Sequence, residues 1–130
     1  MVLLNPEMPD KYYNEGRSVL LSGGHYNNWE WIATSLKQQI KHEAIAIYTP
    51  LSNTFFEHKM RMTRGKFGLK LIPTKMIGHF FQEHKDELTA TVFGIDQSPR
   101  NPDRCHWMQF LNQDTGVMFG LEKYAKELNR

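Results

Sequence analysis

The chain alternates short apolar runs with segments whose apolar residues recur at helical spacing. The predicted strands cover residues 18–22, 43–48, 69–72 and 88–95. Helices are predicted at 9–15, 27–41, 53–64, 75–87 and 119–128. Because each strand is followed by a helix, the crossovers should be right-handed and the strands mainly parallel. The pattern therefore predicts an α/β fold, with a mainly parallel sheet of about four strands and helices on both faces.

The length of the chain is that of a single domain, residues 1–130. A chain that is 40% hydrophobic and of this size can bury one core, and disorder is not expected. Its apolar runs are too short to span a bilayer. The last predicted helix has no strand after it, and four strands are few for a sheet covered on both faces. We therefore expect a partial domain, the truncated piece of a longer protein.

Charge and cysteine content limit the classes of binding partner and of cellular compartment that the chain suits. Cys105 is the only cysteine, so neither an intrachain disulfide nor a cysteine-cluster zinc site can form, which favours the cytoplasm or a membrane surface facing it. The net charge is only +2, but residues 58–82 contain six lysines and arginines and no acidic residue. Such a segment favours an anionic partner: phosphate, nucleic acid or anionic lipid. Nucleic acid is disfavoured, because Phe55 and Phe56 fall at core-like spacing instead of suggesting a stacking surface.

A candidate dyad follows the first strand. His25 comes directly after Gly23-Gly24, and Glu30 lies five residues later, near the start of the next predicted helix, for which Asn27 and Asn28 are suitable N-caps. A carboxylate that orients an imidazole is the arrangement of a general base. Free N–H groups at this helix start could stabilise an oxyanion. The structural alternative is a capped helix with a hydrogen-bonded loop histidine.

Other histidines give no metal site. His79 and His84 are five residues apart and do not share a helix face, so packing or surface roles are favoured. No metal ligands are predicted.

Three segments carry a family resemblance. They are SVLLSGGHYNNWEW, YTPLSNTFFEHKMRMTRGKFGLKLIPTK and GIDQSPRNPDRCHWMQFLNQDTGVMFGLEKYAKELN, which cover most of the chain in order. The first resembles the His-x4-Asp/Glu block of the lysophospholipid acyltransferase superfamily. Together they resemble the lipid A biosynthesis (lauroyl/myristoyl) acyltransferases in their Bacteroidetes-type form.

The resemblance implies roles for individual residues. His25 would be the general base that deprotonates an acceptor hydroxyl, and Glu30 would be its carboxylate partner. Four further residues would bind substrate: Arg64, Asp96, Gln97 and Arg100. Among them, Arg64 would hold a phosphate of the acceptor or stabilise developing charge.

The implied reaction is direct acyl transfer from acyl carrier protein or coenzyme A to a lipid A precursor or related lipid. It needs no cofactor and no role for Cys105, and its implied location is the cytoplasmic face of the bacterial inner membrane. Two alternatives stay open. One is a truncated, non-catalytic lipid-binding module or pseudoenzyme. The other is a hydrolase, for which Ser22 is the only nearby nucleophile.

Overall fold

A four-stranded parallel sheet organises the chain in the computed structural model, which describes residues 2–128. Its strands are β1 (Val19–Gly23), β2 (Glu43–Tyr48), β3 (Lys70–Pro73) and β4 (Thr89–Gly94). Their order across the sheet is β1-β4-β2-β3, and every neighbouring pair is parallel. The predicted parallel α/β sheet is confirmed. Its strand β4, the last of the four along the chain, lies between β1 and β2.

Helices precede, connect and follow the strands. They are α1 (Glu7–Asn14), α2 (Glu30–Ser35), α3 (Thr54–Gly65), α4 (Ile77–Glu83) and α5 (Gly120–Leu128). Short 3₁₀ turns cover Thr74–Met76 and Pro102–Arg104. Within residues 2–128, no helix combines the length and apolar character needed to cross a membrane.

The sheet has a core on each face, because successive strand residues point in opposite directions. Ala44 of β2 faces α2 and the turn after it, in a cluster that includes Leu36. The next residue, Ile45, faces α4, in a cluster that includes Phe81. Both strand residues are fully buried. Helices therefore cover both faces, as predicted.

The second helix is shorter than predicted. Residues 27–41 were expected to be helical with an asparagine cap, but α2 spans Glu30–Ser35 and its N-cap is Trp29, which makes no side-chain capping bond. Asn27 has a left-handed φ of 54°, so it cannot begin a right-handed helix. At the other end, the Ser35 hydroxyl donates to the Trp31 carbonyl at 2.6 Å. Such side-chain bonds compete with the helical ladder.

A hairpin follows the sheet, where the sequence left residues 107–111 as either irregular or extended. Strands β5 (His106–Phe110) and β6 (Gln113–Val117) pair antiparallel. The turn residues Leu111 and Asn112 both have positive φ, 51° and 61°, as a type I′ turn requires. Leu is an unusual residue for such a turn, so the sequence carried no strong hairpin signal.

The third helix also differs from expectation in its orientation. Its N-cap is Asn53, whose side chain accepts from the N–H groups of Phe55 and Phe56. Those two phenylalanines were expected to face the core, but they are 61% and 60% exposed. None of the α3 residues is fully buried.

Candidate active site

His25 and Asp96 meet at the carboxyl edge of the sheet. β1 and β4 are neighbours whose last residues, Gly23 and Gly94, are paired in register. Each strand is followed two residues later by a polar side chain, His25 after β1 and Asp96 after β4. Because parallel neighbours deliver their following loops to the same edge, these side chains are brought together.

Two hydrogen bonds join this pair. The His25 backbone N–H donates to Asp96 Oδ2 at 2.6 Å. The ring Nδ1 lies 2.8 Å from Asp96 Oδ1. Asp96 therefore fixes both the backbone and the ring of His25, which orients the imidazole more firmly than either bond alone.

Two glycines make this approach possible. A Cβ on Gly24 would lie 3.2 Å from Asp96 Oδ2, and a Cβ on Gly94 would lie 3.0 Å from His25 Cε1. Both separations are tighter than an ordinary van der Waals contact, so a side chain at either position would push the pair apart. Gly24, the second of the two glycines before His25, thus makes room for the Asp96 carboxylate, a role that the sequence did not reveal.

The protonation of the pair follows from its hydrogen bonds. Donation from the His25 backbone N–H, and then from its ring, holds the pKa of Asp96 below its usual range. An ionised carboxylate only accepts hydrogen bonds, so Nδ1 is the ring nitrogen that carries the proton in the neutral imidazole. The lone pair is then on Nε2, which has no hydrogen-bond partner within residues 2–128. The His25 side chain is 35% exposed, so the ring is partly accessible from solvent.

Glu30 does not make the predicted bond to His25. Its carboxylate instead binds Arg64 of α3 in a bidentate pair, with Nε donating to Oε2 at 2.9 Å and Nη2 donating to Oε1. The reason is geometric: Glu30 opens α2, and α2 packs against α3. Spacing along the chain pointed to Glu30 as the hydrogen-bond partner of His25, because it could not include Asp96, which arrives from β4.

Trp29 lies between these two pairs. The His25 ring meets the Trp29 ring edge-on, with centroids 4.7 Å apart. On the other side, the Arg64 guanidinium carbon lies 4.9 Å from the Trp29 ring centroid, within cation–π distance. Trp29 was expected to be a core residue, yet it is only partly buried. It joins the His25–Asp96 and Glu30–Arg64 pairs into one continuous cluster of five side chains.

The start of α2 offers less to an oxyanion than expected. Within the described chain, the Trp31 N–H donates to the Asn28 carbonyl at 3.1 Å, and the Ile32 N–H donates to the Trp29 carbonyl at 2.9 Å. The free N–H groups predicted at this helix start are therefore already in use at these two positions.

The remaining predicted site residues lie on the loop after β4. Gln97 and Arg100 are exposed, and neither makes a hydrogen bond or ion pair with another residue in the described range 2–128. They lie on the same loop as Asp96 but outside the cluster. Cys105 lies farther along, where its thiol donates to the Pro102 carbonyl. No group of three or more potential metal ligands is found among residues 2–128.

Comparison with known proteins identifies a family for the chain. No curated protein matches the chain. The sequence does match a protein family described as bacterial lipid A biosynthesis acyltransferase, over residues 5–129. Since this match spans almost the whole sequence, the chain belongs to the bacterial lipid A biosynthesis acyltransferase family.

Proposed function

We propose that this chain transfers a fatty acyl group from an acyl thioester to a hydroxyl of a lipid A precursor or related lipid acceptor, with His25 as the general base. The donor would be acyl carrier protein or coenzyme A. Membership of the family supports the reaction. One observation supports the role of His25. Its ring Nδ1 is hydrogen-bonded to an ionised carboxylate, whereas Nε2 has no hydrogen-bond partner within residues 2–128.

The proposed step balances without a cofactor. Nε2 of His25 accepts the proton of the acceptor hydroxyl while its oxygen attacks the thioester carbonyl carbon. The new ester C–O bond forms, the C–S bond breaks, and the imidazolium returns the proton to the departing sulfur. The ionised Asp96 stabilises the transient imidazolium, because its carboxylate lies 2.8 Å from Nδ1.

In this proposal Asp96 takes the orienting role first given to Glu30. Glu30 instead positions Arg64, whose side chain is 15% exposed and whose Nη1 is not used by Glu30. That nitrogen is available to a phosphate oxygen of the acceptor, and guanidinium suits this geometry. Gln97 and Arg100 remain proposed contacts to a larger substrate from the adjacent loop.

The proposed setting is the cytoplasmic face of the bacterial inner membrane. A lipid acceptor lies in a bilayer, whereas carrier-bound thioesters are water-soluble, so the reaction needs a site that both can reach. No metal is required, since the thioester is already activated for attack.

The test is an acyl-transfer assay on the chain itself, with acyl carrier protein thioester and a lipid A precursor. We expect product from the unmodified chain and a loss of at least about 10³-fold in His25→Ala. His79→Ala is the matched control, because His79 is an exposed histidine of α4 whose Nε2 lies 3.2 Å from Glu83 Oε1, outside the cluster. Undiminished transfer by His25→Ala would overturn the role of His25. Acceptor binding without turnover in the unmodified chain would favour the pseudoenzyme instead.

A further inference from the structure

The outer face of α3 carries a stripe of apolar and basic side chains. Phe55, Lys59, Met62 and Lys66 follow one another at helical spacing (i, i+4, i+7, i+11), so they lie along one face of the helix and its C-cap. Phe55 and Met62 are 61% and 60% exposed, and both lysines are exposed. We call these four residues the α3 stripe.

The opposite face of α3 makes the helix's contacts with the domain. Arg64 binds Glu30 there. Glu57, the only acidic residue of α3, accepts from the Tyr48 hydroxyl at 2.7 Å and from the Leu51 N–H at 2.9 Å. The negative charge is thus held away from the stripe, and the helix is amphipathic with its apolar residues directed outward.

After Glu57, the charged residues of α3 and of the segment that follows it are all basic. No acidic residue occurs in residues 58–82. Lys59 Nζ lies 5.8 Å from the Phe55 ring centroid, and Lys66 Nζ lies 5.5 Å from the ring centroid of the neighbouring Phe67, which is 40% exposed. Long lysine stems flanking aromatic rings suit an interface in which the rings enter an apolar layer and the ammonium groups remain at anionic headgroups.

We infer that the α3 stripe is the surface by which this chain lies on an anionic phospholipid bilayer. Large apolar side chains that alternate with lysines fit a bilayer interface better than a soluble acidic partner, for which exposed Phe and Met would gain less. The inference also explains why a helix of this length buries none of its residues in the domain. It places the bilayer on one side of α3 and Arg64 of the proposed site on the other.

The test is a flotation assay with vesicles of phosphatidylcholine alone and of phosphatidylcholine mixed with phosphatidylglycerol. The unmodified chain should bind the mixed vesicles much more strongly, and added salt should weaken that binding. Lys59→Gln/Lys66→Gln should lower the partition coefficient on mixed vesicles by about 30-fold. Phe55→Ser/Met62→Ser should lower it by about tenfold or more. The assay contains no acyl donor, so its result does not depend on the proposed function.

Matched variants separate the stripe from overall charge. Lys11→Gln/Lys85→Gln removes the same charge at two exposed positions outside α3 and should change binding much less. Equal losses in the two lysine pairs would overturn the inference, because net charge alone would then explain them. Unchanged vesicle binding in both stripe variants would also overturn it, and would point to a protein partner on this face. Because the stripe is exposed, far-ultraviolet circular dichroism should show intact folding in all variants.

Discussion

Asp96→Asn is the substitution that most directly separates the proposed site from the one expected from spacing. Asp96 offers two acceptor oxygens to His25, at 2.6 Å from its backbone N–H and 2.8 Å from its ring Nδ1. An asparagine has nearly the same shape but only one acceptor atom, and its amide nitrogen is a donor. One of the two bonds must therefore be lost.

The size of the effect follows from which bond is lost. If the amide oxygen keeps the bond to the backbone N–H, the amide NH₂ faces Nδ1, which must then accept. The ring proton moves to Nε2, and the lone pair needed by a general base no longer faces the substrate. Replacing a carboxylate that orients a catalytic imidazole by an amide lowers kcat on the order of 10³- to 10⁴-fold, and we expect a loss in this range.

The assay is the rate of acyl transfer at saturating acceptor, compared with that of Asp86→Asn. Asp86 is an exposed residue shortly before β4, so it lies near the amino end of the sheet, away from the cluster. Asp86→Asn should transfer at the rate of the unmodified chain. If Asp96→Asn also kept that rate while His25→Ala lost it, Asp96 would not be the orienting residue.

Three further predictions concern the surroundings of this pair and the opposite end of the sheet. Gly94→Ala should lower kcat with little loss of thermal stability, because its Cβ would displace the exposed imidazole that now lies 3.0 Å away. Glu30→Gln should raise the KM for a phosphorylated acceptor and lower kcat by less than about tenfold, because it loosens Arg64 and leaves the proposed base in place. The ammonium of Lys37 donates to Glu43 and holds its pKa below the usual 4.5. The stability from this pair should be complete above that pH and lost as pH falls through the lower folded value, so Lys37→Gln should flatten the acid limb of a denaturation-midpoint profile.

Each of these has a control or a contrary result. Gly65→Ala is the control for the first, since a Cβ there meets nothing within 4 Å. A loss of about 10³-fold in kcat for Glu30→Gln would return the orienting role to that carboxylate. An acid limb of the same slope with and without Lys37 would show that this pair does not set the pH dependence. Because Glu43 is 37% exposed, the expected effect on stability is small.

Much of the fold could be predicted because it depends on local pattern. The run Glu43–Tyr48 was expected to be a strand with the bounds that the structure has. Its apolar content and the Pro50 that follows it are properties of neighbouring residues. The predicted helix over 27–41 was less accurate, because side-chain bonds such as that of Ser35 to the Trp31 carbonyl are decided by geometry within the turn.

The position of the candidate site could be predicted from the sequence, but the hydrogen-bond partner of His25 could not. His25 could be placed at the carboxyl edge because a strand and two glycines precede it. Its partner could not, since strand order is not encoded in local periodicity. The fourth strand inserts beside β1, and only that topology brings Asp96 within 2.8 Å of the ring. Likewise, Phe55 has apolar spacing suited to a core, but the domain leaves it 61% exposed.

By itself, then, the sequence determined the α/β class, the parallel strands, the family resemblance and the residues from which a site could be built. Tertiary structure alone decided which carboxylate binds His25, which residue binds Glu30, and which side of α3 is exposed to solvent. The physical reason is the separation along the chain of the residues that interact. Strand and helix formation depend on contacts within a few residues, whereas the His25–Asp96 and Glu30–Arg64 pairs join residues 71 and 34 positions apart. Such pairs exist only after the sheet has ordered its strands and the helices have packed against it.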